Sequence, residues 1–387
     1  MKLSCLQENL AEGLATVGRV VPSKSTLPVL SNVLLATEPG QLRLAATNLE
    51  MAISTRVAAR VVDEGTITLP ARLLADYVGL LDKGSQVDLA LNAKSRRMHL
   101  SCGRYEANVA GLDAEDFPAI PSVSGGAVFS LPAPLLKEAI EQVVFAAAQD
   151  ETRPVLAGVY FRLQGNRLTL AAADGFRLAV RSVDLERSAP EDLAVIIPGR
   201  ALSELARVLP DTGDESVDIA TTANRNQILC RVGDTEIVSR LIEGQFPDYQ
   251  RIIPQDARTR IVIGSGDFLR ATRVASVFAR DNANIVKLQV KPSGESADEQ
   301  SLAPGQVLVI SQSQEMGDNQ SALDASVQGE EQAVAFNGKY LRDALESIET
   351  AEVRLDLTGP ASPGVLRPLG ELGDSYLHVI MPMHVAR

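Results

Sequence analysis

The hydrophobic and polar positions of this chain set out one phrase three times. In Ile196-Ile197-Pro198-Gly199-Arg200-Ala201-Leu202-Ser203-Glu204-Leu205-Ala206-Arg207, a short apolar run, a small turn and a stretch of helical spacing follow one another. Thr68-Leu69-Pro70-Ala71-Arg72-Leu73-Leu74-Ala75-Asp76-Tyr77 is an earlier copy, and Ala335-Phe336-Asn337-Gly338-Lys339-Tyr340-Leu341-Arg342-Asp343-Ala344-Leu345 is a later one. Each copy predicts a strand, a turn and an amphipathic helix. The apolar faces are Leu73, Tyr77, Leu80 and Leu81; Leu202, Leu205 and Leu209; and Leu341, Leu345 and Ile348. Other landmarks keep step: Phe117-Pro118 returns as Phe246-Pro247, and Leu27-Pro28-Val29-Leu30 resembles Arg153-Pro154-Val155-Leu156. The chain reads as a triplication, with the polar stretch from Ser293 to Pro304 as an insertion in the third copy.

Each repeat holds a second helix. The first opens directly after Met1-Lys2 and places Leu3, Leu6, Leu10, Leu14 and Val17 on one face. Its counterparts are Leu136, Ile140, Val143 and Val144, then Ala271, Val274, Val277 and Phe278. Between the helices, alternating segments such as Gln41–Ala45, Thr66–Leu69, Gln86–Leu91, Arg167–Leu170, Ser216–Ile219 and Glu352–Leu357 predict strands, separated by Pro-Gly, Gly-Asn and Asp-Gly turns. The fold class expected is α+β: three repeated domains, each with two helices packed on antiparallel sheets. The boundaries expected are 1–122, 127–255 and 260–387, joined by the small-residue stretch 121–126 and by Pro254-Gln255-Asp256-Ala257.

Composition narrows the function. No apolar run is long enough to cross a bilayer and no signal peptide opens the chain, so no membrane partner is expected. Cys5, Cys102 and Cys230 are few, distant and odd in number, which predicts a reducing cytoplasmic setting with no disulfide framework. The net charge of −12 opposes coating of DNA, whose affinity comes from cations that replace counterions. Cations gathered on one face could still accept it.

Catalytic chemistry is missing. His99, His378 and His384 have no ligand spacing, so no metal or cofactor is expected. Phosphate-cradling glycine loops and a Gly-x-Ser-x-Gly elbow are absent, and a hydrolase would need a nucleophile and base that the sequence does not offer. Two features ask for an explanation. Arg72, Arg200 and Lys339 stand at the start of equivalent helices, where a cation opposes the helix dipole by a few tenths of a kcal/mol. Ala173-Asp174-Gly175-Phe176-Arg177-Leu178 sets an exposed Phe and Arg beside a turn that the matching Thr47-Asn48-Leu49-Glu50-Met51 lacks, which marks a candidate binding site.

The triplication, the Asp-Gly-x-Arg-Leu segment, Phe246-Pro247-Asp248-Tyr249 and the terminal Tyr376-Leu377-His378-Val379-Ile380-Met381-Pro382-Met383 together resemble the bacterial DNA polymerase III β subunit family, the β sliding clamps. The resemblance runs the length of the chain. It implies the DNA clamp fold: a head-to-tail homodimer forming a six-domain ring whose twelve helices line the hole. It implies a non-enzymatic processivity factor that encircles double-stranded DNA without reading sequence. Its partners would be the DNA polymerase III α subunit, the clamp loader and repair polymerases, each bound through a short linear motif. Lys24, Arg72, Gln149, Arg200 and Lys339 match DNA-binding positions, although Gly199 stands where a second basic residue is common. The peptide pocket falls on Leu156, Ala173, Gly175, Phe176, Arg177, Leu178, Pro247, Arg251, Ile252, Asn337, Tyr340, Val379, Met381, Pro382 and Met383. Phe176 and His384 depart from the common residues there. Ala107 and Val109, with Val277 and Phe278, match the dimer interface. An acidic triplicated scaffold that binds proteins without encircling DNA is the alternative reading.

Overall fold

The computed structural model describes all residues except 121–127, 151, 190, 223, 293–301, 316 and 385–387. The expected linker 121–126 and most of the 293–304 insertion therefore lie outside the described residues. The six α-helices found among the described residues are α1 (Gln7–Gly18), α2 (Ala71–Gly79), α3 (Ala133–Glu141), α4 (Gly199–Val208), α5 (Ser265–Ala279) and α6 (Gly338–Glu346). The chain divides into two units, Met1–Lys137 with Arg200–Leu241, and Glu138–Gly199 with Ile242–Arg387.

The first unit holds two antiparallel sheets. One orders the strands Arg60–Asp63, Lys2–Leu6, Gln86–Asn92, Arg97–Cys102 and Tyr105–Ala110. The other runs Val128–Pro132, Ser216–Thr221, Gln227–Val232, Thr235–Arg240, Met51–Ala58, Gln41–Thr47, Asn32–Glu38 and Thr66–Pro70. That sheet crosses from the second sequence repeat to the first where Thr235 pairs with Thr55 and Ser239 with Met51.

The second unit is built on one antiparallel sheet of twelve strands: Leu193–Pro198, Gly158–Gln164, Arg167–Ala173, Arg177–Asp184, Tyr376–Ile380, Gly364–Pro368, Glu352–Leu357, Thr259–Gly264, Gly317–Gly329, Ala303–Ser313, Ile285–Pro292 and Gln332–Asn337. It too crosses a repeat boundary, with Arg177 opposite Ile380 and Arg181 opposite Tyr376. Backbone pairing of this kind explains why residues of the second repeat are shared between the two units.

The repeated phrases form as read, strand into helix each time, and Leu202, Leu205, Leu209, Leu341, Leu345 and Ile348 are buried. Three helix faces differ from the sequence expectation. Lys2–Leu6 is a strand rather than the start of α1, because Leu3 and Cys5 alternate inward with period two and Leu6 points out. In α2 the buried face is Ala71, Leu74 and Val78, while Leu73 and Leu80 are exposed; adjacent leucines at 73 and 74 allow two helical phases. In α5 the small residues Ala271, Thr272, Ala275 and Ala279 face inward with Phe268, so the helix packs closely on Ala303–Ser313 and leaves Val274 and Val277 outside.

Candidate functional site

The site grows from the turn between the strands Arg167–Ala173 and Arg177–Asp184. Asp174 ties that turn together: its Oδ1 accepts hydrogen bonds from the backbone N–H of Phe176 at 2.9 Å and of Arg177 at 3.0 Å. Gly175 has a φ of +92°, in the left-handed region, and a Cβ there would sit 2.9 Å from Arg153 Nη1. Phe176 is left 56% exposed at the tip.

Arg177 is not the exposed cation that the sequence suggests; its side chain is only 10% exposed. It donates to Asp174 Oδ2 at 3.1 Å, to Asp343 Oδ2 on α6 at 2.7 Å and to the Phe145 carbonyl at 2.6 Å. The guanidinium also lies over the Tyr340 ring at 4.5 Å and the Phe145 ring at 5.3 Å. Two carboxylates, a carbonyl and two rings satisfy a planar fork of donors that a lysine could not replace.

The C-terminal strand completes the site. Leu178 pairs with Val379, and beyond that strand the Met381 N–H donates to the Phe176 carbonyl at 2.9 Å and the Met383 N–H to the Ala335 carbonyl at 2.8 Å. Ala335 leads to Asn337, whose Oδ1 caps α6 by accepting from the Lys339 N–H at 3.0 Å. Ala173, Leu178 and Val379 are buried in one apolar cluster with Phe246, Tyr160 and Ile253, and Phe246 stacks on Tyr160 at 5.4 Å. The segment after Phe246 brings in Pro247, Arg251 and Ile252, all exposed, with Arg251 paired to Asp248 at 2.8 Å. Leu156, Asn337, Tyr340, Pro382 and Met383 are half-buried and Met381 is exposed. The result is a buried apolar floor with an exposed rim and a few fixed polar groups, which suits an extended apolar peptide. Methionines at 381 and 383 add adaptable lining.

Behind it lies a buried network absent from the sequence reading. Tyr376 Oη is 2.9 Å from the Gln142 carbonyl, 2.6 Å from Ser347 Oγ and 2.6 Å from His378 Nε2. Burial, and then the charge of Arg177, push His378 down from 6.5 to about 3. Burial chiefly raises the Tyr340 phenol, with Asp174 adding to it.

The five cations and amides expected at DNA, Lys24, Arg72, Gln149, Arg200 and Lys339, are all exposed. In the second unit Lys339 lines a cleft of about 270 Å³ with Arg273, Arg280 and Arg342. Sequence reasoning passed over those three arginines. The signal was there, since Arg280, the residue that ends α5, follows Arg273 by seven, two turns along one face, and Arg342 follows Lys339 by three. For the expected interface, Val277 is 48% exposed and Phe278 half-buried on α5. Ala107 is half-buried and Val109 buried, so the strand Tyr105–Ala110 offers its backbone edge rather than the Val109 side chain.

Comparison with known proteins draws these pieces together. Residues 1–121, 130–248 and 250–384 match the N-terminal, central and C-terminal domains of the DNA polymerase III beta subunit. The chain belongs to the β sliding clamp family. It is 34% identical to the beta sliding clamp of Synechococcus elongatus over the full length of both chains, and 34% identical to that of Staphylococcus epidermidis over 94% of each. The DNA polymerase sliding clamp of Bacillus subtilis superposes with a TM-score of 0.91 at 30% identity, and the DNA polymerase III beta subunit of Thermotoga maritima with 0.88 at 26%, each covering both chains fully. The clamp fold is therefore three-domain, with helices on antiparallel sheets, and its role is that of a DNA sliding clamp, a non-catalytic processivity factor. The acidic scaffold reading is not favoured.

Proposed function

We propose that two copies of this clamp close head to tail into a ring around duplex DNA. The observation that carries this reading is a missing joint. Twice within the chain, the last strand of one repeat pairs with the strand that follows the second hairpin turn of another: Thr235–Arg240 with Met51–Ala58, and Tyr376–Ile380 with Arg177–Asp184. The third strand of each kind has no such partner among the described residues. Tyr105–Ala110 ends its sheet, and Gly317–Gly329 meets Thr259–Gly264 only through Ala325–Gly329, which leaves residues 317–324 open on that side. An unpaired edge is a ready template for another chain, and a second copy supplies both missing halves. Carrying the register across sets Tyr105 opposite Ser321 of the second copy.

Such a ring reconciles the charge with the task. Cations at the helix starts, Arg72, Arg200 and Lys339 with Lys24 and Gln149, would face DNA, and the acidic surplus would face outward. Holding is then topological, so weak contacts to phosphates suffice and sequence plays no part. The pocket around Arg177 would receive short linear peptides of the DNA polymerase III α subunit, the clamp loader and repair polymerases in the cytoplasm. Light scattering over a dilution series tests the joint. A mass near twice the 41.3 kDa chain is expected, and a persistent monomer would contradict it.

A further inference from the structure

The C-terminal ends of α3 and α6 carry the wrong charge for helix ends. A helix C-terminus is a partial negative pole that favours cations, yet neither helix has a base in its last turn. Instead, Glu138, Glu141, Asp343, Glu346 and Glu349 line one cleft of about 290 Å³, whose wall is completed by Gln142, Phe145 and Ser347. Arginines reach three of these carboxylates: Arg177 meets Asp343 at 2.7 Å, Arg181 meets Glu138 at 3.7 Å and Arg273 meets Glu346 at 2.9 Å. The side chains of Glu141 and Glu349 have no hydrogen bond or ion pair among the described residues.

A second observation shows what the cleft lacks. Gln142 is 7% exposed and its Oε1 is buried without a partner. Its Nε2 donates to Glu138 Oε1 at 2.8 Å, which fixes the amide, since the reverse orientation would set the oxygen against a carboxylate. A buried acceptor left unpaired has lost its water without gaining a bond in exchange. The unmatched groups among the residues that line the cleft, the Glu141 and Glu349 carboxylates and Gln142 Oε1, are thus acceptors, and they call for a positively charged donor. The described residues hold no group of three or more acidic, histidine or cysteine side chains close enough to hold a metal ion, so the carboxylates are too widely spread to chelate one. A cation with several N–H donors along its length matches that spacing.

We propose that this cleft binds an organic polycation, either a free polyamine or the lysine and arginine side chains of a partner, with Glu141, Glu349 and Gln142 Oε1 as its acceptors. The cleft shares Phe145 and Asp343 with the surroundings of Arg177 and Glu346 with the cleft of Lys339, whereas Glu141, Gln142 and Glu349 line it alone, and it does not depend on ring closure.

Calorimetric titration of the full chain with spermidine at fixed ionic strength tests it, beside a second titration with a capped lysyl-lysine amide. One saturable event per chain is expected, weakened at least about tenfold in Glu141→Gln/Glu349→Gln by loss of its charged acceptors. A control, Asp63→Asn/Glu64→Gln, removes two exposed carboxylates of the first unit and leaves the event unchanged. All four substituted residues are exposed, so both variants keep the fold, which circular dichroism verifies. Binding of spermidine assigns the site to free polyamines. Binding of the dipeptide alone, with the same dependence on Glu141 and Glu349, assigns it to a partner's side chains. Heat that never saturates, equal losses in the two variants, or displacement by magnesium chloride at matched ionic strength would overturn the proposal and leave only counterion attraction to an acidic surface.

Discussion

Arg177 joins four parts of the second unit, the turn at Asp174, the strand Arg177–Asp184, Phe145 and α6, and its removal would strand two carboxylates at once. Breaking a buried ion pair from one side costs about 3 kcal/mol, so Arg177→Leu should lower the urea midpoint clearly. The same variant should weaken a fluorescent clamp-binding peptide at least about tenfold by anisotropy, because Asp174 loses the guanidinium that holds its Oδ2 and the rim turn loses its tie to α6 and Phe145. Wild-type stability with normal peptide affinity would contradict this account. Its place beside an Asp-Gly turn made the residue a candidate in the sequence. Its burial was not legible there, since Phe145 and Asp343 lie 32 and 166 residues away.

His378 gives a second test, read through pH. Its folded value of about 3 lies below the ordinary 6.5, so between these limits the unfolded chain binds a proton that the folded chain refuses. Stability from this group is complete above about pH 6.5 and declines as the pH falls toward 3, by up to about 1.4 kcal/mol per unit. The decline in urea midpoint from neutral to mildly acidic pH should be shallower in His378→Gln than in the wild type, whatever the variant's absolute stability. Equal slopes would show that His378 does not hold back a proton.

Among the elements, α5 separates packing from association. Its inward face is alanine and threonine around Phe268, and its outward face carries Val274 and Val277 at 41% and 48% exposure. The large valines gave the stronger hydrophobic signal in the sequence, yet the close approach to the sheet selects small side chains. Two apolar residues left exposed on a helix face fit the proposed joint between subunits. Val277→Glu should therefore give particles near 41.3 kDa with an unchanged circular dichroism spectrum. A dimer of full size would remove the helix from the interface. Strand and helix order were legible at this scale because the three copies confirm one another's periodicity. The sheets that cross repeat boundaries were not, since they rest on backbone hydrogen bonds that leave no pattern in the side chains.

For the whole molecule the question is how a chain of net charge −12 serves DNA. Pairwise affinity cannot supply the answer, whereas topology can, because a closed ring needs only weak cation contacts inside to remain on the duplex. The sequence suggested this ring only through family resemblance; the strand edges at Tyr105–Ala110 and at residues 317–324 are the physical support for the proposal. The most direct measurement is retention on DNA by gel filtration, with the protein loaded by a clamp loader on a nicked circular plasmid and the plasmid then cut once. The account predicts co-elution with the circle at salt that abolishes ordinary binding, and loss on linearisation as the ring slides off the ends. Retention that survives the cut, or no retention on the circle, would contradict it.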